Sequence, residues 1–285
     1  MIAEWIESYA PKNRDDYEQA MREIMQQIAL AGLYRVGFYN KAAFYGGTAL
    51  RIFYKLDRFS GDLDFSLMEK DMDFDLSTYL EAVKNEFSSI GMNVSVSIKK
   101  KQKTSDIESA FLKSETIWSE IVLQNTVAQM GLDRTIRVKI KLEVDTNPPL
   151  GFETEEHLLI RPYSFFVRCF QIQDLFAGKM HALLFRKWKS NVKGRDWYDL
   201  EWYIRRGTPL NLHHFMLRAI DSGDWTKESM TEAELRMLLA QRIDQINMER
   251  AKDDIKRFIK DPKVLDIWSP SYFHKLVELL KINSN

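Results

Sequence analysis

From Thr135 to Asp145 the chain alternates without a break. Ile136, Val138, Ile140, Leu142 and Val144 share one side, and Arg137, Lys139, Lys141, Glu143 and Asp145 share the other. A period of two suits a strand with one buried and one polar face, and a helix cannot use it. Asn147-Pro148-Pro149 then closes the strand. The chain must therefore build a sheet. Further strand patterns fall at Leu63 to Leu67, at Asn93 to Lys99 (with Val94, Val96 and Ile98 alternating), at Ser109 to Lys113 and at Ile117 to Leu123.

Helical signals surround these strands. Asn13 is placed to cap a helix with Asp15 and Asp16 in its first turn, an apolar stripe of Tyr17, Met21, Ile24, Met25 and Ile28, and Gly32 as its stop. A short helix is predicted over Thr48 to Leu56, and a longer one over Leu76 to Ile90 ended by Gly91. Beyond Gln171 the pattern turns wholly helical, over 173–189, 195–206, 212–221, 231–260 with room for a break, and 271–281. The expected fold class is α+β: a mixed sheet flanked by helices in residues 1–170, then an all-helical domain in 171–285 that completes the site. The boundary belongs near residue 170.

The 285 residues, 45% of them hydrophobic, can bury a sizeable core, which excludes a disordered chain. A single cysteine, Cys169, excludes an internal disulfide and any multi-cysteine metal centre, and is best read as a small buried hydrophobe. The start, Met1 to Ala10, carries acids where a secretory signal needs a basic region and an apolar run, and no stretch reaches the roughly 18–20 apolar residues of a membrane span. A cytoplasmic protein is expected. Lys plus Arg number 41 and Asp plus Glu 41, so the chain is no bulk polyanion binder. The charge is nonetheless segregated: eight acids stand against two bases over residues 62–86, and eight bases against three acids over 179–206.

Chemistry concentrates in a few places. Gly46-Gly47-Thr48 opens a helix, an arrangement in which free backbone N–H groups accept a phosphate. Asp62 and Asp64 stand two apart on a strand, so both carboxylates leave one face, as a magnesium ion shared with phosphates requires; the same pair also fits a solvated strand face. Glu143 and Asp145 form a second pair, either of which can supply a third carboxylate for in-line phosphoryl displacement. Lys179 sits in the apolar run Asp174 to Leu184 and needs a carboxylate or phosphate partner. Lys193-Gly194-Arg195-Asp196 makes a basic, flexible turn at a helix start, with Asp196 and Asp199 on one helical face and an Arg195–Asp199 surface pair as the plainest reading. Trp197, Tyr198, Trp202 and Tyr203 read as core at helical spacing, and the five histidines lack metal-ligand spacing.

The run Phe44-Tyr45-Gly46-Gly47-Thr48-Ala49-Leu50-Arg51, followed by Arg58-Phe59-Ser60-Gly61-Asp62-Leu63-Asp64-Phe65, resembles the first motif of the AbiEii-like nucleotidyltransferase toxins, within the DNA polymerase β-type nucleotidyltransferase superfamily. The strand Lys139 to Asp145, the helix Asp174 to Lys179 and the segment Lys193 to Asp199 follow in the family's order, so the likeness spans roughly residues 40–205. The resemblance implies a nucleotidyltransferase-fold sheet, Asp62, Asp64 and Glu143 as ligands of catalytic Mg2+ (two ions with the nucleotide), and Gly46, Gly47, Thr48 and Arg58 at the nucleotide phosphates. Lys179 is implied to neutralise phosphate charge and Asp196 to complete the site. Arg51 and Arg195 are further phosphate contacts to consider.

It further implies transfer of NMP from a nucleoside triphosphate to an acceptor hydroxyl by a bacterial toxin with a cognate antitoxin, and the tRNA acceptor end as the target. Lys99, Lys100, Lys101 and Lys103, with the bases of 179–206, suit an RNA stem. A small-molecule or protein acceptor, and a catalytically idle nucleotide-binding module, remain the alternatives.

Overall fold

A computed structural model describes residues 2–99, 116–124, 138–186 and 192–283. The strand pattern at 109–113, the start of the alternation at 135–137, and Lys100, Lys101 and Lys103 lie outside the described residues. Seven strands build one sheet: β1 (Ala42–Tyr45), β2 (Asp62–Leu67), β3 (Asn93–Lys99), β4 (Thr116–Gln124), β5 (Lys139–Asp145), β6 (Thr154–Leu159) and β7 (Phe165–Phe170). Their order is β3-β4-β5-β2-β1-β7-β6. The sheet is mixed: β2 runs parallel to β5 and β1 parallel to β7, while the other neighbours are antiparallel. β5, the strand of the long alternation, stands third in the sheet, paired on both sides.

One sheet face is covered by α2 (Arg14–Arg35) and α4 (Ser77–Ser89), with α1 (Ile2–Glu7) packed on α2. Ile24, Met25 and Ile28 meet Leu63, Phe65, Leu142 and Val144 there, all fully buried. Because strand side chains alternate, this core turns Asp62, Asp64 and Glu143 to the opposite face. A second core gathers α5 (Ile172–Phe185), α6 (Gly194–Arg206), α7 (Leu212–Asp221), α8 (Glu232–Gln245), α9 (Met248–Lys256) and α10 (Pro270–Glu278). It also includes Ala43 of β1 and Leu50 and Tyr54 of α3 (Gly46–Tyr54), so the helical part is seated directly on the strand–helix unit that carries the glycine pair.

The helical pattern over 231–260 does break. One run ends at Gln245, Ile246 is extended, and Asn247 caps the next, its side chain accepting from the Arg250 N–H at 3.0 Å. One two-stranded parallel pair, β8 (Leu210–Asn211) with β9 (Ile282–Asn283), ties the chain end to the α6–α7 junction. Two-residue strands are too short to write a period into sequence.

Gly32 was expected to stop the first helix, but α2 runs through it to Arg35. A Cβ at Gly32 would lie 2.7 Å from the Val83 Cα, so the glycine marks the close approach of α2 to α4. Gly32→Ala is expected to cost about 1–3 kcal/mol by overpacking, although alanine is the better helix former. A urea unfolding midpoint equal to or above that of the wild type would rule this out.

Candidate active site

β1 delivers the chain to α3 through Gly46, whose φ is +82°. A Cβ on Gly46 would stand 2.3 Å from Oδ2 of Asp64, so both backbone conformation and space demand glycine. At Gly47 a Cβ would lie 2.8 Å from Ser60 Oγ and 3.0 Å from Arg58 Nη2. Tyr45, at the N-cap, offers no side-chain cap. No side chain at the N-cap thus takes up the first-turn N–H groups of α3, which stand beside a carboxylate, the geometry of an anion site next to a cation site.

The parallel register of β2 and β5 sets Asp64 opposite Glu143 and Asp62 opposite Lys141. Burial, then the charges of Asp62 and Glu143, push the Asp64 carboxyl up to about 7. Burial, then Glu143, raises Asp62 as well. Burial and like charge outweigh the cations that pull the other way, Lys141 and Arg195 on Asp62 and Lys179 on Asp64, so the row is short of positive charge. Lys141 supplies part of it through an ion pair to Glu143. With Glu143 turned to Lys141, no three Asp, Glu, His or Cys groups among the described residues converge as a ready metal cage. The donor set is nevertheless the hard, crowded oxygen set that suits Mg2+, which keeps waters and substrate oxygens in its shell.

Asp145, the alternative third carboxylate, is buried opposite Ser66, and its Oδ1 accepts the Asn147 N–H at 3.2 Å. The register thus places Glu143, and not Asp145, beside Asp64.

From the helical side, Lys179 on α5 reaches the row. Its ammonium lies 2.9 Å from Asp199 Oδ2 and 3.9 Å from Asp196 Oδ1, and its charge pulls against the rise of Asp64. Asp199 is wholly buried and also takes a two-point ion pair from Arg58, Nε to Oδ1 and Nη2 to Oδ2, both 2.6 Å. Burial alone would raise Asp199, but Arg58 and Lys179 outweigh it and hold the carboxyl below its ordinary range. The expected Arg195–Asp199 surface pair does not form. Gly194 serves packing: a Cβ there would fall 1.8 Å from the Ala251 carbonyl oxygen of α9, and the Gly194 N–H donates to Asp254 at 3.0 Å.

The family model described as Nucleotidyl transferase AbiEii toxin, Type IV TA system, matches residues 28–272. The chain belongs to the AbiEii nucleotidyltransferase toxin family. Its fold is shared by JHP933 from Helicobacter pylori, at a TM-score of 0.54 and 17% identity over 92% of this chain and 90% of that one. It is also shared by the nucleotidyltransferase toxin MenT4 from Mycobacterium tuberculosis H37Rv, at 0.52 and 15% over 96% and 87%. No curated protein sequence matches significantly. Among the described residues no helix is long and apolar enough to cross a membrane.

In this AbiEii-family chain the expected site residues divide by position. Gly46, Gly47, Asp62, Asp64 and Glu143 come together at the β1–α3 turn and the β2–β5 pair; Lys179 of α5 acts on Asp64 through its charge, and Asp196 of α6 lies 3.9 Å from Lys179. Thr48 and Arg58 are engaged within the chain. Thr48 is buried and its hydroxyl donates to the Asp62 carbonyl, which pins the strand end. Arg58 is buried beneath Gly47, paired with Asp199 and donating to the Phe59 carbonyl.

Arg51 is likewise engaged, with Glu23 at 2.9 Å and the Leu56 carbonyl at 3.1 Å. Arg195 lies over the Phe258 ring at 4.5 Å, and its charge still reaches Asp62. Trp197 and Tyr203 are buried core, as their spacing suggests, and so is Cys169, whose thiol burial pushes well up. One residue escaped the sequence reading in its place: Asp199, visible there only as a helix-face neighbour of Asp196 and in a surface pair with Arg195, is the buried partner of Arg58 and Lys179.

Proposed function

We propose that this AbiEii-family chain is a magnesium-dependent nucleotidyltransferase that moves NMP from a nucleoside triphosphate to an acceptor hydroxyl, with the tRNA acceptor end as that hydroxyl. It acts as a growth-inhibiting toxin of the bacterial cytoplasm, held in check by a cognate antitoxin. The observation that carries the reading is the Asp62–Asp64–Glu143 row in register at the foot of the glycine turn, its members raising one another's affinity for positive charge.

The triphosphate lies across the first turn of α3, where Gly46 and Gly47 let it approach the backbone. Asp62, Asp64 and, once released from Lys141, Glu143 are the residues to hold Mg2+, which when bound stabilises charge on the transferring phosphoryl group and lowers the pKa of the attacking hydroxyl. The acceptor oxygen forms a bond to the α-phosphorus in line as the bond to the β-phosphate oxygen breaks. A carboxylate of the row receives the hydroxyl proton, and pyrophosphate leaves. Lys179, fixed by Asp199, neutralises the charge that builds on the departing phosphates.

Incubation of the protein with each α-labelled ribonucleoside triphosphate, Mg2+ and total RNA tests this. Label is expected on RNA of tRNA size and not on RNA of other sizes. Label on protein would replace the acceptor assignment, and binding of nucleotide without any transfer would replace the enzyme by an idle module.

A further inference from the structure

Arg218 lies in the last turn of α7, a helix packed against α5. Its Nε is buried and has no hydrogen-bond partner, the residue as a whole is partly exposed, and among the described residues the guanidinium makes no ion pair. A guanidinium N–H buried without an acceptor costs stability, and the partly exposed head around it leaves an anion room to reach that N–H. Asp145 feels the Arg218 charge, but among the described residues no hydrogen bond or ion pair joins them, its Oδ1 accepting the Asn147 N–H at 3.2 Å, and Asp224 accepts from Ser222 at 2.6 Å.

The location is specific. The Arg218 Nε and Cζ atoms come within 3.9 and 4.0 Å of where a Cβ on Gly178 would be, directly beside Lys179 on α5. Glycine at 178 leaves the planar guanidinium room against the helix. Tyr45, the residue before the glycine turn, connects this place to the carboxylate row, because its phenol feels Asp64, Asp145, Arg218 and Glu143 together. His181 and His214 flank the arginine. Burial, and then the Arg218 charge, holds both near 3, so both are neutral and present no second cation or counter-ion.

From the unpaired guanidinium beside Gly178 and Lys179 we infer that Arg218 is a phosphate-binding residue of the site, supplied by the helical part of the chain. The inference rests on the proposed nucleotidyltransferase reading and adds to it a contact that no motif marks. The phosphate belongs either to the triphosphate tail or to the backbone of a nucleic-acid acceptor. Both present the same tetrahedral oxyanion to a planar, two-point donor.

The test compares wild type, Arg218→Met and Arg218→Lys for thermal stability without ligand, and for affinity toward each Mg2+-ribonucleoside triphosphate, inorganic tripolyphosphate and deacylated tRNA. In Arg218→Met the ligand-free Tm should equal or exceed that of the wild type, because an unpaired charge is removed. Affinity should fall about tenfold or more for one phosphate source, with partial rescue by lysine. Loss confined to the triphosphates and tripolyphosphate assigns the tail, and loss confined to tRNA assigns the acceptor backbone; either supports the inference. Undiminished binding of every probe, or a ligand-free Tm lowered by several degrees, overturns it and makes Arg218 structural. Wild-type protein that binds tripolyphosphate but no nucleoside triphosphate would sink the nucleotidyltransferase reading while leaving Arg218 to be judged on tripolyphosphate. Wild-type protein that binds none of the probes removes both.

Discussion

Asp64→Asn is expected to lower nucleotide transfer by about 10³-fold, the scale on which several kcal/mol of transition-state charge stabilisation disappear. Asparagine keeps the shape beside Gly46 and removes only the charge. The same substitution should make the chelated protein more stable at pH 8, and these opposite effects are what make the prediction discriminating. Asp64 is raised to about 7 by burial, Asp62 and Glu143, whereas an unfolded aspartate titrates near about 3.9. Between those values the folded state binds the extra proton, so the Asp64 contribution falls as pH rises from about 4 to about 7. The stability gained by Asp64→Asn should therefore be largest above about pH 7, shrink as pH falls toward about 4, and diminish at any pH when Mg2+ restores positive charge. Chemical denaturation at pH 5 and pH 8, with and without Mg2+, measures it. A variant less stable than wild type at pH 8 in chelator would refute the picture of a charge-starved carboxylate row, and full retention of transfer would remove Asp64 from the machinery.

The parts of this arrangement that could be read in sequence are those set by a local period or a local turn. The alternation through Lys139 to Asp145 placed β5, and two apart on one strand put Asp62 and Asp64 on one face. Gly46-Gly47 announced a close approach, and the partner of that approach turned out to be the Asp64 carboxylate. What could not be read is pairing across distance. Nothing local says that Thr48 spends its hydroxyl on the Asp62 carbonyl, or that Arg58 is drawn beneath the turn by a carboxylate 141 positions later. β7 was hidden because Phe165-Phe166-Val167-Arg168-Cys169-Phe170 is aromatic on both faces, its Phe170 stacking on Phe152 and Tyr45 and its Phe165 facing the other core. Gly32 and Gly194 misled for one reason: a glycine demanded by a neighbouring helix looks, in one dimension, like a glycine that ends a helix or loosens a turn.

Asp199 carries the largest expected stability effect in the molecule. It is fully buried and balances Arg58, itself buried, together with the Lys179 ammonium. Asp199→Asn leaves two cations to share a neutral amide, and breaking one partner of a buried pair costs about 3–5 kcal/mol. The pH dependence has the opposite sign to that of Asp64. Because the folded Asp199 carboxyl lies below its unfolded value, its contribution is complete above about pH 3.9 and lost only as pH falls below that.

Removing the charge and its main partner together separates pairing from packing. Arg58→Met with Asp199→Leu should recover most of the lost stability, since apolar groups of similar size can replace a buried pair at little cost. In that double variant Asp196, at 3.9 Å, is the ion-pair partner left to Lys179 among the described residues. Transfer should therefore stay depressed in a protein that folds well, with the loss in kcat and little change in nucleotide KM, because the lysine has lost its orientation. A double variant that regains both stability and turnover would mean that Asp199 holds the fold together without positioning Lys179. An Asp199→Asn protein within about 1 kcal/mol of wild type would contradict the buried-pair energetics themselves.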